Sequence, residues 1–242
     1  MIHGHYYHVQ MYRKRRHRLT AALTLIIPII LLVAFGGLTH IDMRTLGIVL
    51  VTSFYRLIVS YGLALIVGVT LAIYLGSRKW AENVLPVFDV LQNLPSFALI
   101  PLFALAFGYT TKMAIIFSMT AVIWPIFFYV LSALHVARTD FNEAATVFGA
   151  TGWKRITRYY IPLAFPAIIT GSIVGISIGW EAIIGIELIG RLKGIGTFID
   201  TASTSGDQAT LWGGIIAILA LVFILNKILW TPLLKYTEHY AE

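Results

Sequence analysis

The chain contains no cysteine in 242 residues. Disulfide bridges, thiolate metal sites and cysteine nucleophiles are therefore excluded. Charge is almost as scarce: 12% of residues are Asp, Glu, Lys or Arg, against about 25% in an ordinary soluble domain. With a mean hydropathy of +0.82, that scarcity excludes a soluble fold of the usual kind. Histidine is missing from every expected span. His3, His5, His8, His17, His40, His135 and His239 all fall in tails or connections, so no pair is available inside a bilayer to ligate haem. The N-terminal HGHYYH reads as a tail with incidental histidines, and no metal site is expected. The phosphate-cradling pattern G-x-x-x-x-G-K-[ST] is absent, since GATGWKR has the wrong spacing, so the chain does not hold ATP in the usual way. Segments of about ten alternating residues, the mark of a membrane β-barrel, are replaced by runs such as LTLIIPIILLVAF.

Long uncharged runs take their place. Charges are absent from 19–41, 57–77, 90–111, 113–137, 159–180 and 208–226, and each gap can supply the roughly 20 residues that cross a bilayer as a helix. An all-α polytopic membrane protein of about six spans is expected, near 20–38, 56–76, 84–108, 113–134, 163–186 and 210–234. The first run follows RKRRHR but lacks a small-residue cleavage pattern after LLVAFGGL, so it reads as an anchor. With both termini on one side, that side collects twelve Lys and Arg and the other side five, with Lys227 inside the last span. The excess places both termini in the cytoplasm. The formal charge of +7 is thus a topology signal, and nucleic acid is not needed to explain it. The organisation is a basic tail (1–19), one transmembrane domain (20–234) and a short C-terminal tail (235–242). Its two substantial polar connections are 135–160 inside and 187–209 outside.

The inner connection has its own pattern. Asp140 and Glu143 have capping-box spacing, and Phe141, Ala144, Ala145 and Phe148 form an apolar stripe at i, i+3, i+4 and i+7. Gly149 is placed to end that helix. Thr151 can cap a second one, with Trp153, Ile156 and Tyr160 on one side and Lys154, Arg155 and Arg158 on the other. A helix, tight turn, helix results. The residues leave two roles open, an interfacial hairpin lying on lipid and a docking surface for a cytoplasmic partner. A DNA-reading role is set aside because both ends are tethered to spans.

EAATVFGATGWKRITRYYIP, residues 143–162, resembles the EAA loop of binding-protein-dependent ABC importer permeases. Glu143, Ala144, Ala145, Gly149 and Pro162 match in register, while Tyr159 and Ile161 stand where that family prefers Ile and Leu. LQNLPSFALIPLFALAFG is similar to the proline-rich span of the nitrate, sulfonate and taurine branch. WEAIIGIELIGRLKGIGTFI is similar to that branch's outer segment, with Gly194, Ile195 and Gly196 at its Gly-Leu-Gly. The resemblance covers about residues 50–235. It implies a type I permease fold in which the loop is a coupling helix docking on a separate ATP-binding subunit through Glu143, Ala144, Ala145, Gly149, Ala150 and Thr151. It also implies a second permease copy, two ATPases that carry ATP and Mg, an extracytoplasmic substrate-binding protein, an inner-membrane location and no enzymatic activity in this chain. A small anionic solute such as nitrate, sulfonate, taurine or bicarbonate is the expected cargo. The alternatives are an ion-coupled secondary transporter, which would show an inverted repeat and midplane charges, and a structural membrane subunit that moves nothing.

Polar residues inside the spans are the other candidates. Pro95 and Pro101 should bend or break the third span, leaving Gln92, Asn93 and Ser96 as pore-lining candidates where irregular backbone needs protein or water beside it. Gly171, Gly175 and Gly179 form a doubled G-x-x-x-G face for close helix packing, with pore lining as the alternative. Arg56, Glu181 and Glu187 are candidates for the pathway or an outer gate, or for structural pairing. Glu181 lies about 28 Å along the fifth span from Pro162, so both glutamates belong to its outer half. Arg56 is read as the start of the second span and Glu181 as its preferred partner. Asp89 and Lys227 are read as snorkelling or as a mutual pair.

Overall fold

A computed structural model describes residues 26–39, 41–76, 78, 83–140 and 152–238, and every described element is helical. The EAA residues Glu143, Ala144, Ala145, Gly149, Ala150 and Thr151 lie outside the described residues, as do the N-terminal tail and residues 239–242. The first apolar helix, α1, is Ile26–Thr39. A second, α2, runs unbroken over Met43–Gly76, because 34 residues without proline give no cause for a kink. The expected start at residue 56 is thus corrected. Asp42 caps α2 instead, accepting the amides of Arg44 at 3.0 Å and Thr45 at 3.2 Å, and Arg56 is an interior residue of the helix.

The third span is broken. Helix α3 (Leu85–Gln92) and the helical segment Ser96–Phe107, whose α-helical part is α4 (Ile100–Phe107), meet at 88°. Pro95 causes the break: it adopts extended backbone (φ −61°, ψ 113°) and has no amide to continue the α3 ladder. Pro101 does not break the chain as expected. It sits in the first turn of α4, where its missing N–H would have no partner in any case.

Helix α5 is Thr111–Asp140. The described chain resumes as helix at Gly152, passes through a wide turn at Ile156–Tyr160 and becomes α6, Ile161–Gly190. Within the outer connection, residues 195–205 then form a short helix, α7 (Ile195–Ser205). It is followed by α8 (Gln208–Leu225), another wide turn at Asn226–Trp230, and α9 (Thr231–Glu238). Among the described residues four uninterrupted helical stretches are long and apolar enough to span a bilayer, or five where the bent pair is counted as one span. The chain is a multi-pass membrane protein.

Helices α2, α5 and α6 pack most closely. With lipid as apolar as leucine, close backbone approach rather than hydrophobicity must hold them together, and small residues supply it. A Cβ on Gly171 would come to 2.9 Å from the Ile126 Cα, one on Gly175 to 3.2 Å from Val122, and one on Gly179 to 2.6 Å from Leu57 and 2.8 Å from Val122. The glycine face is thus seated on α5 and α2. Gly213 and Gly214 do the same for α8, against Ile41 and Ile199. Residues 141–151, outside the described residues, join α5 to the helix at Gly152 at one end of the bundle. The other, here the far end, gathers the starts of α2, α5 and α8, the end of α6, and α7.

Candidate functional site

Inside the far end lies a polar cluster in an apolar surrounding. Its centre is the Glu187 carboxylate on the last turns of α6, fully buried, facing Arg56 of α2, which is 4% exposed. Arg56 Nη1 is 2.5 Å from Glu187 Oε1 and also donates to the Lys193 carbonyl at 3.0 Å, while Nη2 donates to Thr111 Oγ1 at 3.1 Å. The Ser53 hydroxyl, one turn before Arg56, lies 2.8 Å from each carboxylate oxygen and accepts the Ile195 amide at 2.8 Å. The Gly196 amide donates to Glu187 Oε2 at 3.0 Å. Arg56 Nε has no partner among the described residues.

A lone buried carboxylate is very costly in so apolar a place, and a buried pair is favourable only when further hydrogen bonds satisfy it. Here the supplement comes from the Ser53 hydroxyl and the Gly196 amide in the first turn of α7, so that a helix N-terminus, with its partial positive charge, faces the anion. Sequence dictates the approach. A Cβ on Gly194 would collide with the Glu187 carboxylate, and one on Gly196 with the Ile184 carbonyl. Thr197 closes the turn by donating to the Glu187 carbonyl at 2.7 Å and the Leu192 carbonyl at 2.6 Å. One carboxylate therefore ties α2, α5, α6 and α7 together.

Of the sequence candidates, Arg56 and Glu187 meet and Glu181 does not join them. Glu181 is exposed, with no hydrogen bond or ion pair among the described residues. The preference for Glu181 as partner is corrected by helix geometry: six residues apart at about 100° each, the two glutamates point roughly 120° away from one another. Asp89 does not pair with Lys227. It accepts from the Gln92 amide at 3.3 Å, while Asn93 donates to its carbonyl at 2.6 Å. Gln92 and Asn93 are exposed beside the break and Ser96 is half-buried. The Phe97 ring lies where a Gly185 side chain would be, which brings the break against α6 one turn from Glu181. Ser53, Ser60 and Thr111 escaped the sequence reading. Ser60 donates to the Arg56 carbonyl at 2.7 Å and lies 3.0 Å from the Ile115 carbonyl, so Ser53, Arg56 and Ser60 form an i, i+3, i+7 polar stripe that periodicity could have found.

Comparison with known proteins adds to this geometry. The family model described as "Binding-protein-dependent transport system inner membrane component" matches residues 64–229. The chain is similar to the nitrate import permease protein NrtB of Synechocystis sp., with 31% identity over 75% of this chain and 64% of that protein. It is similar to the bicarbonate transport system permease protein CmpB of Synechococcus elongatus, with 26% identity over 73% and 64%, and to the taurine transport system permease protein TauC of Escherichia coli, with 25% identity over 73% and 65%. The matches span just under two thirds of the length of these relatives.

Proposed function

Since the chain belongs to the family of binding-protein-dependent transport system inner membrane components, we propose that it is the membrane-spanning permease subunit of an ATP-driven importer. The observation that carries this reading is the family match over residues 64–229, which takes in the broken span, the polar hairpin and the helices on either side of it. On this reading ATP and Mg are bound and spent on separate subunits. The hairpin residues Glu143, Ala144, Ala145, Gly149, Ala150 and Thr151 form the docking surface for those ATPases. A second permease copy completes the pathway, a binding protein delivers solute to the far end, and both termini lie in the cytoplasm.

The exposed polar residues Gln92 and Asn93 at the break, with Ser96 beside them, and Glu181 on α6 line the pathway. An unpaired ionisable group at membrane depth belongs next to water or protein rather than lipid. The Arg56–Glu187 cluster fixes the outer end of the bundle. The relatives are named for nitrate, bicarbonate and taurine, so the cargo is a small polar solute.

Uptake into vesicles holding the assembled transporter tests this. Accumulation that requires ATP and the binding protein is expected. Uptake that follows an ion gradient without ATP would mark a secondary transporter, and no uptake under either condition a structural subunit.

A further inference from the structure

We infer that Lys112, Arg191 and Lys193 form a docking patch at the far end for an acidic face of the solute-binding protein, a surface that deepens the proposed function and rests on it.

The Arg56 guanidinium brings the three together. Its Nη2 donates to Thr111 Oγ1 at 3.1 Å and its Nη1 to the Lys193 carbonyl at 3.0 Å, so the first turn of α5 and the turn after α6 lie against one another. Gly190 meets the ring of Tyr109, which seats Arg191 beside the same turn. Lys112, Arg191 and Lys193 are all exposed, and none forms an ion pair among the described residues. Glu187 behind them is buried and already matched by Arg56. Asp42 and Asp207 are engaged in capping α2 and α8, and Asp200 on α7 pairs with none of the three.

Local stability does not explain these cations. Lys112 stands in the first turn of α5, where the helix dipole is positive and a lysine is unfavourable. It lies over the Phe107 ring at 5.7 Å, a contact that leaves its charge without a counter-ion. Arg191 ends α6 with φ 49°, in the left-handed region where glycine is the usual choice. It is the one non-glycine residue so placed among the described residues. A protein surface fits this patch better than a small ion does. Separate exposed charges hold a free anion weakly, whereas they steer a large partner bearing several carboxylates. Tyr109, 48% exposed beside them, adds an aromatic side chain of the kind that joins arginine in protein interfaces.

The probe is the binding protein that the uptake assay shows to be required, added to the assembled transporter in phosphatidylcholine nanodiscs, with association followed by surface plasmon resonance. For the unaltered transporter the association rate constant should fall roughly tenfold or more between about 50 mM and about 0.5 M NaCl, as steering is screened. The triple change Lys112→Gln, Arg191→Gln and Lys193→Gln should lower it about tenfold at the lower salt, change dissociation by less than about threefold, and match the parent at the higher salt. Arg44→Gln, which removes a far-end cation lying beside Asp42, should stay within about twofold of the parent. Salt-insensitive association overturns the proposal with no variant needed. So does a triple variant that associates as fast as Arg44→Gln, or one whose deficit persists at high salt. Phosphatidylglycerol that co-purifies with the parent and is lost from the triple variant, with association unchanged, assigns the patch to lipid headgroups and overturns docking. Each of these results leaves binding-protein-dependent uptake intact, and only failure of that uptake would overturn the proposed function itself.

Discussion

At the residue scale the protein stakes much on one buried carboxylate. Removing a single partner of such a pair leaves a charge without compensation and costs about 3–5 kcal/mol. Arg56→Ala and Glu187→Ala are each expected to lower thermal stability in detergent by that order, and the double change by less than the sum. An interaction of under about 0.5 kcal/mol in the double-mutant cycle would make the sites independent. Glu181→Ala in the same assay should change stability by no more than about 0.5 kcal/mol, as an exposed site does. Gly194→Ala must displace the Glu187 carboxylate, and a loss of about 1–3 kcal/mol is expected for such overpacking; unchanged melting would mean the carboxylate has room to move. That Arg56 needs an acidic partner was legible in the sequence, because an arginine amid apolar residues has few alternatives. Which glutamate it takes was not. Glu181 was favoured for its place directly after Trp180 and the glycine face, whereas the choice depends on rotation about α6 and on α7, whose Gly196 amide reaches Glu187 and whose Ile195 amide reaches Ser53 only after the chain reverses.

At the scale of elements, spacing was readable and termini were not. The glycine triplet predicted close packing, and the structure assigns each glycine its neighbour with a graded clearance. Gly171→Ala drives a methyl against the backbone of Ile126 and the Pro125 carbonyl, whereas at Gly175 the nearest atoms are the Val122 side chain and carbonyl at 3.2 Å. Gly171→Ala is therefore expected to cost about 1–3 kcal/mol and Gly175→Ala clearly less. Equal melting temperatures for the two would show that the α5 and α6 backbones adjust freely. Proline marked the third span as irregular, yet only Pro95 breaks it, since a proline in a first turn is harmless. The start of α2 was misplaced because a charge was taken as a boundary. A charge neutralised inside the bundle is invisible to that rule, while the cap at Asp42 carries the true signal. The corresponding cap of α8, Asp207, accepts the Thr210 amide at 3.0 Å. Thr210, through its hydroxyl and then its amide, holds the Asp207 carboxyl below the usual carboxylate range. A carboxyl lowered in the folded state stabilises above its unfolded value, and that contribution is lost as pH falls through the folded one. The first turn of α8 should thus exchange its amide hydrogens faster, relative to the helix interior, only on acidification below about pH 4. Asp207→Ala should show the faster exchange at neutral pH as well.

For the whole molecule, the two ends of the bundle are joined by the same pair of helices. Residues 141–151, read from sequence as a hairpin, connect the end of α5 to the start of the helix that becomes α6. At their other ends, Thr111 opens α5 and accepts from Arg56, while Glu187 near the close of α6 holds Arg56, Ser53 and α7. Close packing of α5 on α6 along the glycine face makes the pair stiff, so on the proposed reading a displacement imposed at the hairpin is carried to the far end as movement of a unit, with the polar cluster keeping α2 and α7 attached. The sequence made both ends visible separately, the hairpin by its pattern and the far end by its charges. Their connection through α5 and α6 emerges only from the packing. Gly149→Arg separates the two ends experimentally. On the sequence reading of a tight turn at Gly149, a bulky cation there would obstruct close approach of a partner and disfavour positive φ, while the helices that residues 141–151 join meet them at the end opposite the Arg56 cluster. The variant should therefore reach the membrane and melt within about 0.5 kcal/mol of the parent, as expected of a remote surface change. It should also lose co-purification with the ATPases or solute-stimulated ATP hydrolysis. Retention of both activities would remove the docking role and leave the hairpin as a basic element resting on lipid phosphates.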